Sequence, residues 1–235
     1  MLQGKARLVV LFATILLPWR IRRLLYIRLF GWRIAPSARI GRSFVDVDQL
    51  TMAPGSSIGH LNVIRNMPLL EVGEGSGIHQ WNWITTSAEF DGPPPGEGRF
   101  RGLKMGSYSA ILLRHYLDCS GGITIGNNAA LAGVRSTLLT HQANAHAGYV
   151  MTAPIEIGEY CLISSDVRIT PGSVVPPRSI VAMGAVVTGA LPEAGGLYGG
   201  VPAKLLRSNV GVGGWFSRVR GQLPTDPRET RAEGR

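Results

Sequence analysis

Charged and aromatic residues are scarce in this sequence, and their scarcity narrows the class of protein. Of 235 residues, 17% are charged and 7% are aromatic, while 45% are hydrophobic. That apolar fraction is typical of a folded domain and too high for a disordered chain. The length suits one large domain or two small ones with a buried core.

Cysteine is scarce as well. Cys119 and Cys161 are the two cysteines of the chain, and they lie too far apart to form a CxxC pair. Two thiols exclude a disulfide framework and a four-cysteine zinc site. We therefore expect both to be reduced, buried thiols of a cytoplasmic protein. The phosphate-binding patterns GxxxxGK[ST] and GxGxxG are also missing, so nucleotide hydrolysis and hydride transfer have no support.

Acidic residues are absent between Met1 and Arg42, a segment that holds nine Lys or Arg. The net charge of +9 belongs to this segment alone, because residues 43–235 carry fifteen basic and fifteen acidic residues. The remainder of the chain is therefore not a basic platform, and we expect no nucleic-acid partner.

The apolar run in this basic segment is short. Leu8–Leu17 has ten residues before Pro18 and Arg20, about half of the roughly 20 that a membrane-spanning helix needs. No small-x-small cleavage site of a signal peptide follows it. Residues 1–33 therefore predict a basic, amphipathic helical segment. It either docks on an anionic membrane surface or packs against its own domain or a sister subunit.

A six-residue repeat is the dominant positive feature of the sequence. Its clearest run consists of six aliphatic residues six apart: Ile157, Ile163, Ile169, Val175, Val181 and Val187. The first five are each followed four positions later by a small or medium residue: Cys161, Val167, Ser173, Ser179 and Ala185. The same spacing occurs upstream in pieces: Ile34 and Ile40; Met52, Ile58 and Ile64; Val72, Ile78 and Ile84; Met105, Ile111, Leu117 and Ile123; Ile125, Leu131 and Thr137.

A period of six fits neither a helix nor an alternating strand. It fits a short strand plus a turn, and three such units close a triangular coil. We therefore predict an all-β solenoid over residues 34–206, with parallel sheets on its faces. The repeat breaks at 88–101 and 142–154, which predicts two excursion loops suited to substrate contacts. The tail, 207–235, predicts a short helix or disorder.

These repeats resemble those of the hexapeptide-repeat acyltransferases, which implies a left-handed parallel β-helix. Three runs resemble more narrowly the O-acetyltransferases of bacterial exopolysaccharide and colanic-acid-type synthesis: RHYLDCSGGITIGNNAALAGVRSTLLTHQAN (Arg114–Asn144), TAPIEIG (Thr152–Gly158) and LYGGVPAKLL (Leu197–Leu206). The resemblance implies transfer of acetyl from acetyl-CoA to a sugar hydroxyl, a homotrimer, and no metal. It also implies a cytoplasmic enzyme, and the basic segment would make it peripheral at the inner face of the membrane.

Acyl transfer from a thioester to a hydroxyl needs a general base, and histidine suits that role near neutral pH. In the resembling family the histidine of the TH motif, here His141, is the base. We expect His115, in the RHYLD run, to line the same cleft. Asp118 either orients a neighbour or caps a turn. Gln142 stands where the family often has an acidic or polar partner for the base.

The resemblance also implies binding residues. The expected cofactor-side residues combine basic groups near the nucleotide with backbone along the pantetheine arm: Lys204, Arg207, Gly200, Ser165, Gly184 and Ala185. We expect the acceptor, a sugar or a lipid-linked oligosaccharide, to contact Trp83, Asp118 and Asn144. His60 and His79 are predicted to be structural.

Two other functions stay open on the same solenoid. An enzyme like the gamma-class carbonic anhydrases would bind zinc through His115, His141 and His146 and activate a water molecule. Alternatively, His146 is only a surface residue of the loop. A non-catalytic, membrane-attached scaffold would keep the repeats and need neither His141 nor the GGVPAK sequence.

Overall fold

Short parallel strands wind the chain into a left-handed β-helix in the computed structural model, which describes residues 4–90 and 96–219. Each turn passes from face A to face B, then to face C and back to face A. One turn takes eighteen residues, because Ile157 lies beside Val175 and Ile163 beside Val181. The predicted fold class is confirmed.

Faces A and C belong to one continuous sheet, because β3 (Phe44–Met52) and β5 (Val63–Val72) bend around the corner between them. Their first residues lie on face C and their last residues on face A. The other strands of face A are β1 (Arg33–Ile34), β8 (Leu103–Met105), β11 (Ile123–Ile125), β16 (Ile155–Ile157) and β19 (Val174–Val175). The other strands of face C are β7 (Trp83–Thr85), β10 (Tyr116–Asp118), β13 (Thr137–Leu139), β18 (Arg168–Ile169) and β21 (Val186–Val187).

Face B is a separate sheet that ends in an antiparallel hairpin. Its strands are β2 (Arg39–Ile40), β4 (Ser57–Ile58), β6 (Gly77–Ile78), β9 (Ala110–Leu113), β12 (Ala130–Val134), β17 (Leu162–Ile163), β20 (Ile180–Val181), β22 (Leu197–Gly199) and β23 (Lys204–Arg207). The last pair, β22 and β23, is antiparallel and closes the carboxyl end of the helix.

The six-residue period corresponds to the inward positions of the strands. All six aliphatic residues from Ile157 to Val187 are at most 2% exposed, and the second column from Cys161 to Ala185 is fully buried. The large residue fills the middle of each face while the small one lies at the corner. This arrangement stacks into one continuous core, whose burial stabilises the fold at roughly 25 cal/mol for each Å² of apolar surface.

One position of the predicted repeat is wrong. Thr137 was expected to point inward, but Leu138 is the buried residue of β13 and Thr137 is only half-buried. The turn before β13 holds an extra residue, and the pairing of β12 with β9 shifts between Leu131 and Val134. Gly133, at φ 65°, accommodates this bulge because glycine adopts positive φ without strain.

Two helices cover the amino-terminal end of the β-helix. α1 (Gly4–Thr14) and α2 (Trp19–Phe30) place Leu11, Tyr26 and Phe30 against the first turn, together with Trp32. The indole N–H of Trp32 donates to the carbonyl of Val47 at 2.9 Å. The inner side of the predicted segment 1–33 therefore packs on its own domain. Residues 1–3 lie outside the described part.

The two excursions leave the β-helix at one corner, between faces C and A. The first connects β7 to β8, and the part of it at 91–95 lies outside the described residues. The second is an antiparallel hairpin of β14 (His141–Asn144) and β15 (Tyr149–Thr152).

The start of the predicted tail folds back on the β-helix. It includes α3 (Gly214–Ser217), and the indole of Trp215 donates to the Tyr160 carbonyl at 3.1 Å. The tail residues 220–235 lie outside the described part.

Candidate active site

The corner between faces C and A brings together two of the polar residues that the sequence singled out, His141 and Asp118. Strands β7, β10 and β13 are parallel neighbours, with Thr85 beside Asp118 and Asp118 beside Leu139. Carboxyl ends of neighbouring parallel strands lie at one edge, so the residues that follow them meet there. Both excursions start at this edge, which places His141 next to Asp118.

His141 and Asp118 form a hydrogen-bonded pair. His141 Nδ1 lies 2.7 Å from Asp118 Oδ2. The Asp118 side chain is 2% exposed, whereas that of His141 is 36% exposed. An ionised carboxylate accepts from Nδ1–H, which leaves the lone pair on Nε2. The arrangement therefore presents a basic nitrogen toward the solvent-accessible side of the corner.

Neighbouring hydroxyl and amide groups hold the Asp118 carboxylate in place. Ser120 Oγ donates to Oδ1 at 2.6 Å, and the Thr140 N–H donates to Oδ2 at 3.1 Å. Such donors compensate a buried carboxylate for its lost water. Asp118 thus positions His141, and its burial contradicts the expectation that it contacts the acceptor. The sequence analysis assigned no role to Ser120 and Thr140, although both lie within the run Arg114–Asn144.

The first excursion covers one side of the pair. The ring of Phe90 lies 5.8 Å from the His141 ring, and the guanidinium of Arg101 lies 5.2 Å from the centre of the Phe90 ring. Arg101 also donates to the carbonyl of Ser120. At the base of the excursion, the Ser87 N–H donates to Ser120 Oγ at 2.8 Å. The sequence pointed to this loop but not to these residues.

A cleft of about 830 Å³ extends from Phe90 toward helix α1. Arg7 of α1 lines one side and is ion-paired with Asp46 at 2.7 Å. Arg65, Arg99 and Arg101 also line the cleft, together with Asp46, Asp48 and apolar side chains. The volume is typical of a small-molecule site, and a lining in which arginines outnumber aspartates suits a polar ligand that carries negative charge or many hydroxyls.

His115 is not part of this corner, so the expectation that it lines the cleft is wrong. It precedes β10, whereas Asp118 ends that strand, so the two lie at opposite edges of face C. His115 is 1% exposed, and its Nδ1 accepts from the Ser136 N–H at 3.1 Å. Burial lowers its pKa to about 4, against a smaller raising effect of the Leu131 carbonyl.

The surroundings of His115 explain its place. Residues at the same corner in successive turns bond to one another: Asn62 to Asn82, Asn82 to His115, and His115 to Ser136. This series, the corner ladder, satisfies backbone groups that would otherwise be buried without partners. His115 therefore has a structural role here.

The remaining acceptor-side residues differ in position. Trp83 is 49% exposed on the outer side of face C, beside Tyr116 and two residues before Thr85. Asn144 lies at the far end of β14, where its Oδ1 accepts from the Ala147 N–H at 3.0 Å. Trp83 presents an exposed aromatic ring at the start of β7, while Asn144 caps the hairpin turn.

Five of the six expected cofactor residues lie near the other edge of face C, between faces B and C, whereas Arg207 lies at the far end of face B, beside Leu197. Lys204 and Arg207 are exposed on β23. Gly184 N–H already donates to Ser165 O, and the N–H and C=O of Ala185 bond to Ala182 and Arg168. The N–H groups of Gly184 and Ala185 therefore have partners within the chain, and the expectation that backbone groups here bind a pantetheine arm stays a prediction. Ser165 Oγ accepts from the Val134 N–H, and Gly200 O accepts from the Val186 N–H.

The three histidines of the carbonic-anhydrase alternative do not converge. His141 is in the site, His115 is buried at the opposite edge, and His146 is exposed in the hairpin turn. In residues 4–90 and 96–219, no group of three or more His, Cys, Asp or Glu is arranged to hold a metal ion. Nothing in the geometry favours that alternative.

Comparisons with known proteins support the fold. No protein-family model matches the chain, and no curated protein matches it. A mutant of the N-acyltransferase AntD from Bacillus cereus, solved with dTDP-4-amino-4,6-dideoxyglucose and coenzyme A, is 15% identical. The match covers 80% of this chain and 87% of that one, with a TM-score of 0.52.

A second solved structure matches over a similar length. It is a hexapeptide-repeat acetyltransferase from Vibrio cholerae O1 biovar eltor in complex with acetyl coenzyme A. It is 19% identical, and the match covers 87% of this chain and 86% of that one, with a TM-score of 0.44. At these identities the likeness concerns the fold. Fold and site together define a left-handed β-helix with a His–Asp pair between two excursions.

Proposed function

We propose that this chain is an acyltransferase that moves acetyl from acetyl-CoA to a sugar hydroxyl of bacterial surface polysaccharide. The observation that carries the proposal is the His141–Asp118 pair, set between two excursions on a β-helix. The solved structures of this fold described above bind coenzyme A or acetyl coenzyme A, and one holds an amino sugar nucleotide. The resemblance of the repeats to those of the hexapeptide-repeat acyltransferases implies the same acyl-transfer chemistry.

In the proposed reaction, His141 Nε2 accepts the proton of the sugar hydroxyl as its oxygen attacks the thioester carbon. Asp118 stabilises the imidazolium that forms, because its carboxylate accepts from Nδ1–H. The tetrahedral intermediate collapses when the carbon–sulfur bond breaks, and the His141 proton passes to the departing thiolate. The products are the acetyl ester and free coenzyme A. Transfer is direct, because both cysteines are buried in the core.

Cysteine burial supports the direct route further. Burial raises the pKa of Cys161 to about 12 and that of Cys119 well above its ordinary value. A thiol with so high a pKa is protonated at neutral pH and is a poor nucleophile. Neither cysteine is therefore placed or ionised to carry an acetyl group.

The acetyl-CoA site is proposed to lie between two copies of a homotrimer. Within one chain, Lys204 lies at the end of β23 near the B–C corner and Arg207 lies at its other end, whereas His141 lies at the C–A corner. In a trimer, the C–A corner of one copy can face the B–C corner of the next. This arrangement brings the general base of one copy close to the phosphate-binding residues of the next copy. Within a single chain the two groups lie apart.

The test compares cells that lack the gene with cells that regain it as wild type, His141→Ala or His146→Ala. Mass spectrometry of surface polysaccharide is expected to show acetyl esters with wild type and His146→Ala only. His146 is the matched control, because it is exposed in the same hairpin and five residues away. In purified enzyme, His141→Ala is expected to lower turnover by about 100- to 10,000-fold. Unchanged acetylation in the deletion strain would contradict the proposal.

A further inference from the structure

The helical hairpin of α1 and α2 has an apolar outer side. On α1, Val9 and Phe12 are 67% and 62% exposed, and in the turn after it Leu16 is 80% exposed. On α2, Ile21 and Leu24 are 48% and 54% exposed. Positions 9 and 12 share one face of α1, and positions 21, 24 and 28 share one face of α2. The outer sides of both helices and the turn between them thus form one surface, the apolar ridge.

The fold does not need the apolar ridge. The inner sides of the same helices already cover the end of the β-helix through Leu11, Tyr26 and Phe30. Phe12 is the ridge residue with a described ring contact, 4.5 Å from the ring of Phe44, and it is still largely exposed. An exposed apolar surface such as the apolar ridge indicates a site of interaction with a partner.

The charges beside the ridge indicate the chemistry of that partner. Arg20 and Arg28 are exposed on α2, on or beside the row that holds Ile21 and Leu24. By contrast, Arg22 and Arg23 donate to backbone carbonyls of the first turn, at 3.0 Å and 2.7 Å. Two arginines hold the hairpin on the domain while two others point outward. With no acidic residue up to position 42, the surface is complementary to an anionic, apolar partner.

We propose that the apolar ridge binds the surface of an anionic lipid bilayer. Ridge side chains would enter the boundary between headgroups and acyl chains, while Arg20 and Arg28 meet lipid phosphates. Among the described residues, no helix is long and apolar enough to cross the membrane. The helices lie along the surface. A second copy fits less well, because a symmetric contact through this ridge would bring the same arginines together.

The test is co-sedimentation of the full-length protein with lipid vesicles. Vesicles of phosphatidylcholine mixed with phosphatidylglycerol are expected to bind the protein, and vesicles of phosphatidylcholine alone are not. The double variant Leu16→Glu/Ile21→Glu should reduce binding by at least about tenfold, as should Arg20→Glu/Arg28→Glu. High salt should weaken wild-type binding.

Matched controls are Met183→Glu, which changes a side chain 69% exposed far along the chain, and Arg168→Glu, which reverses an exposed charge on face C. Both should bind like wild type, and all variants should keep the thermal midpoint of the β-helix. Equal binding to both kinds of vesicle, or no binding, would overturn the proposal. A fall in oligomeric mass of Leu16→Glu/Ile21→Glu, by light scattering, would assign the ridge to a second copy instead. None of these readouts depends on acetyl transfer.

Discussion

Asp118 and His141 are 23 residues apart in sequence and 2.7 Å apart in space. The distance results from the pairing of β10 with β13, which sets the two strand ends side by side. Because Ser120 and Thr140 occupy the other carboxylate positions, Asp118 has one partner left to orient. The residue is therefore a positioning group for His141.

Asp118→Asn is expected to reduce turnover by at least about tenfold, because an amide does not stabilise the imidazolium. The KM for acetyl-CoA should change little, because Asp118 contacts His141 and not the proposed cofactor residues. Steady-state kinetics separates kcat from KM, and Ser87→Ala, which keeps the Ser87 backbone N–H, is the control. A variant whose thermal midpoint falls together with its turnover would mean that Asp118 is only structural.

The burial of His115 predicts that the free energy of unfolding decreases in acid. Because burial lowers its pKa to about 4, below the ordinary 6.5, the unfolded chain binds a proton that the folded chain does not. Its contribution is complete above pH 6.5 and is lost as the pH falls from 6.5 toward 4. The loss amounts to about 3 kcal/mol.

His115→Asn tests this prediction, because Asn62 and Asn82 occupy the equivalent position in the two preceding turns. We expect the variant to fold, to keep its turnover, and to lose less stability on acidification. Urea titrations at several pH values measure the free energy of unfolding. An equally steep loss in the variant would place the acid sensitivity elsewhere, and a collapse of turnover would return His115 to the site.

At the scale of elements, the bulge in β12 decides which residue of β13 faces the core. It turns Leu138 inward and leaves Thr137 half-buried. The same strand then ends at Leu139, so that Thr140 and His141 follow at the corner. A shift of one residue would reverse the sides of the whole strand, including its polar end.

Leu138→Ala should therefore lower the free energy of unfolding by about 2–5 kcal/mol, the range for emptying a well-packed site. Thr137→Ala should change it by about 1 kcal/mol or less, as is usual for positions outside the core. Denaturant titration of the two variants compares neighbouring residues on one strand. The reverse order of effects would contradict the register described above.

At the scale of the whole molecule, the candidate base lies at the C–A corner, whereas the candidate phosphate-binding residues, Lys204 and Arg207, lie on β23 of face B. If acetyl-CoA bridges two copies, Lys204→Ala/Arg207→Ala should weaken acetyl-CoA binding by about 10- to 150-fold. Binding of dephospho-CoA should change little. Calorimetric titration with both ligands measures the difference.

Mixing subunits tests where the site is built. His141→Ala and Lys204→Ala/Arg207→Ala should each be weakly active, and equal amounts, unfolded and refolded together, should regain about a quarter of wild-type activity. In randomly mixed trimers, about one interface in four joins a subunit with intact His141 to a neighbour with intact Lys204 and Arg207. Each variant refolded alone is the control. No recovery in a mixture shown to contain hybrid trimers would place the complete site within one chain.

The sequence by itself determined the architecture. A period of six depends on local properties, since each short strand needs one large inward residue and each turn a small one. These needs repeat in every coil, so Ile157 to Val187 predicted the β-helix and its core. The excursions were visible for the same reason, as places where the repeat stops. His141 was visible through its motif.

Only the tertiary structure decided which polar residues work together. Asp118 could orient a neighbour or cap a turn, and the pairing of β10 with β13 selected His141 as its neighbour. His115 shared a motif with Asp118 but lies at the other end of one strand, inside the corner ladder. The sequence cannot report such placement, because the register of a strand depends on the length of the turn before it, such as the bulge at Gly133, and one extra residue there reverses the sides of β13.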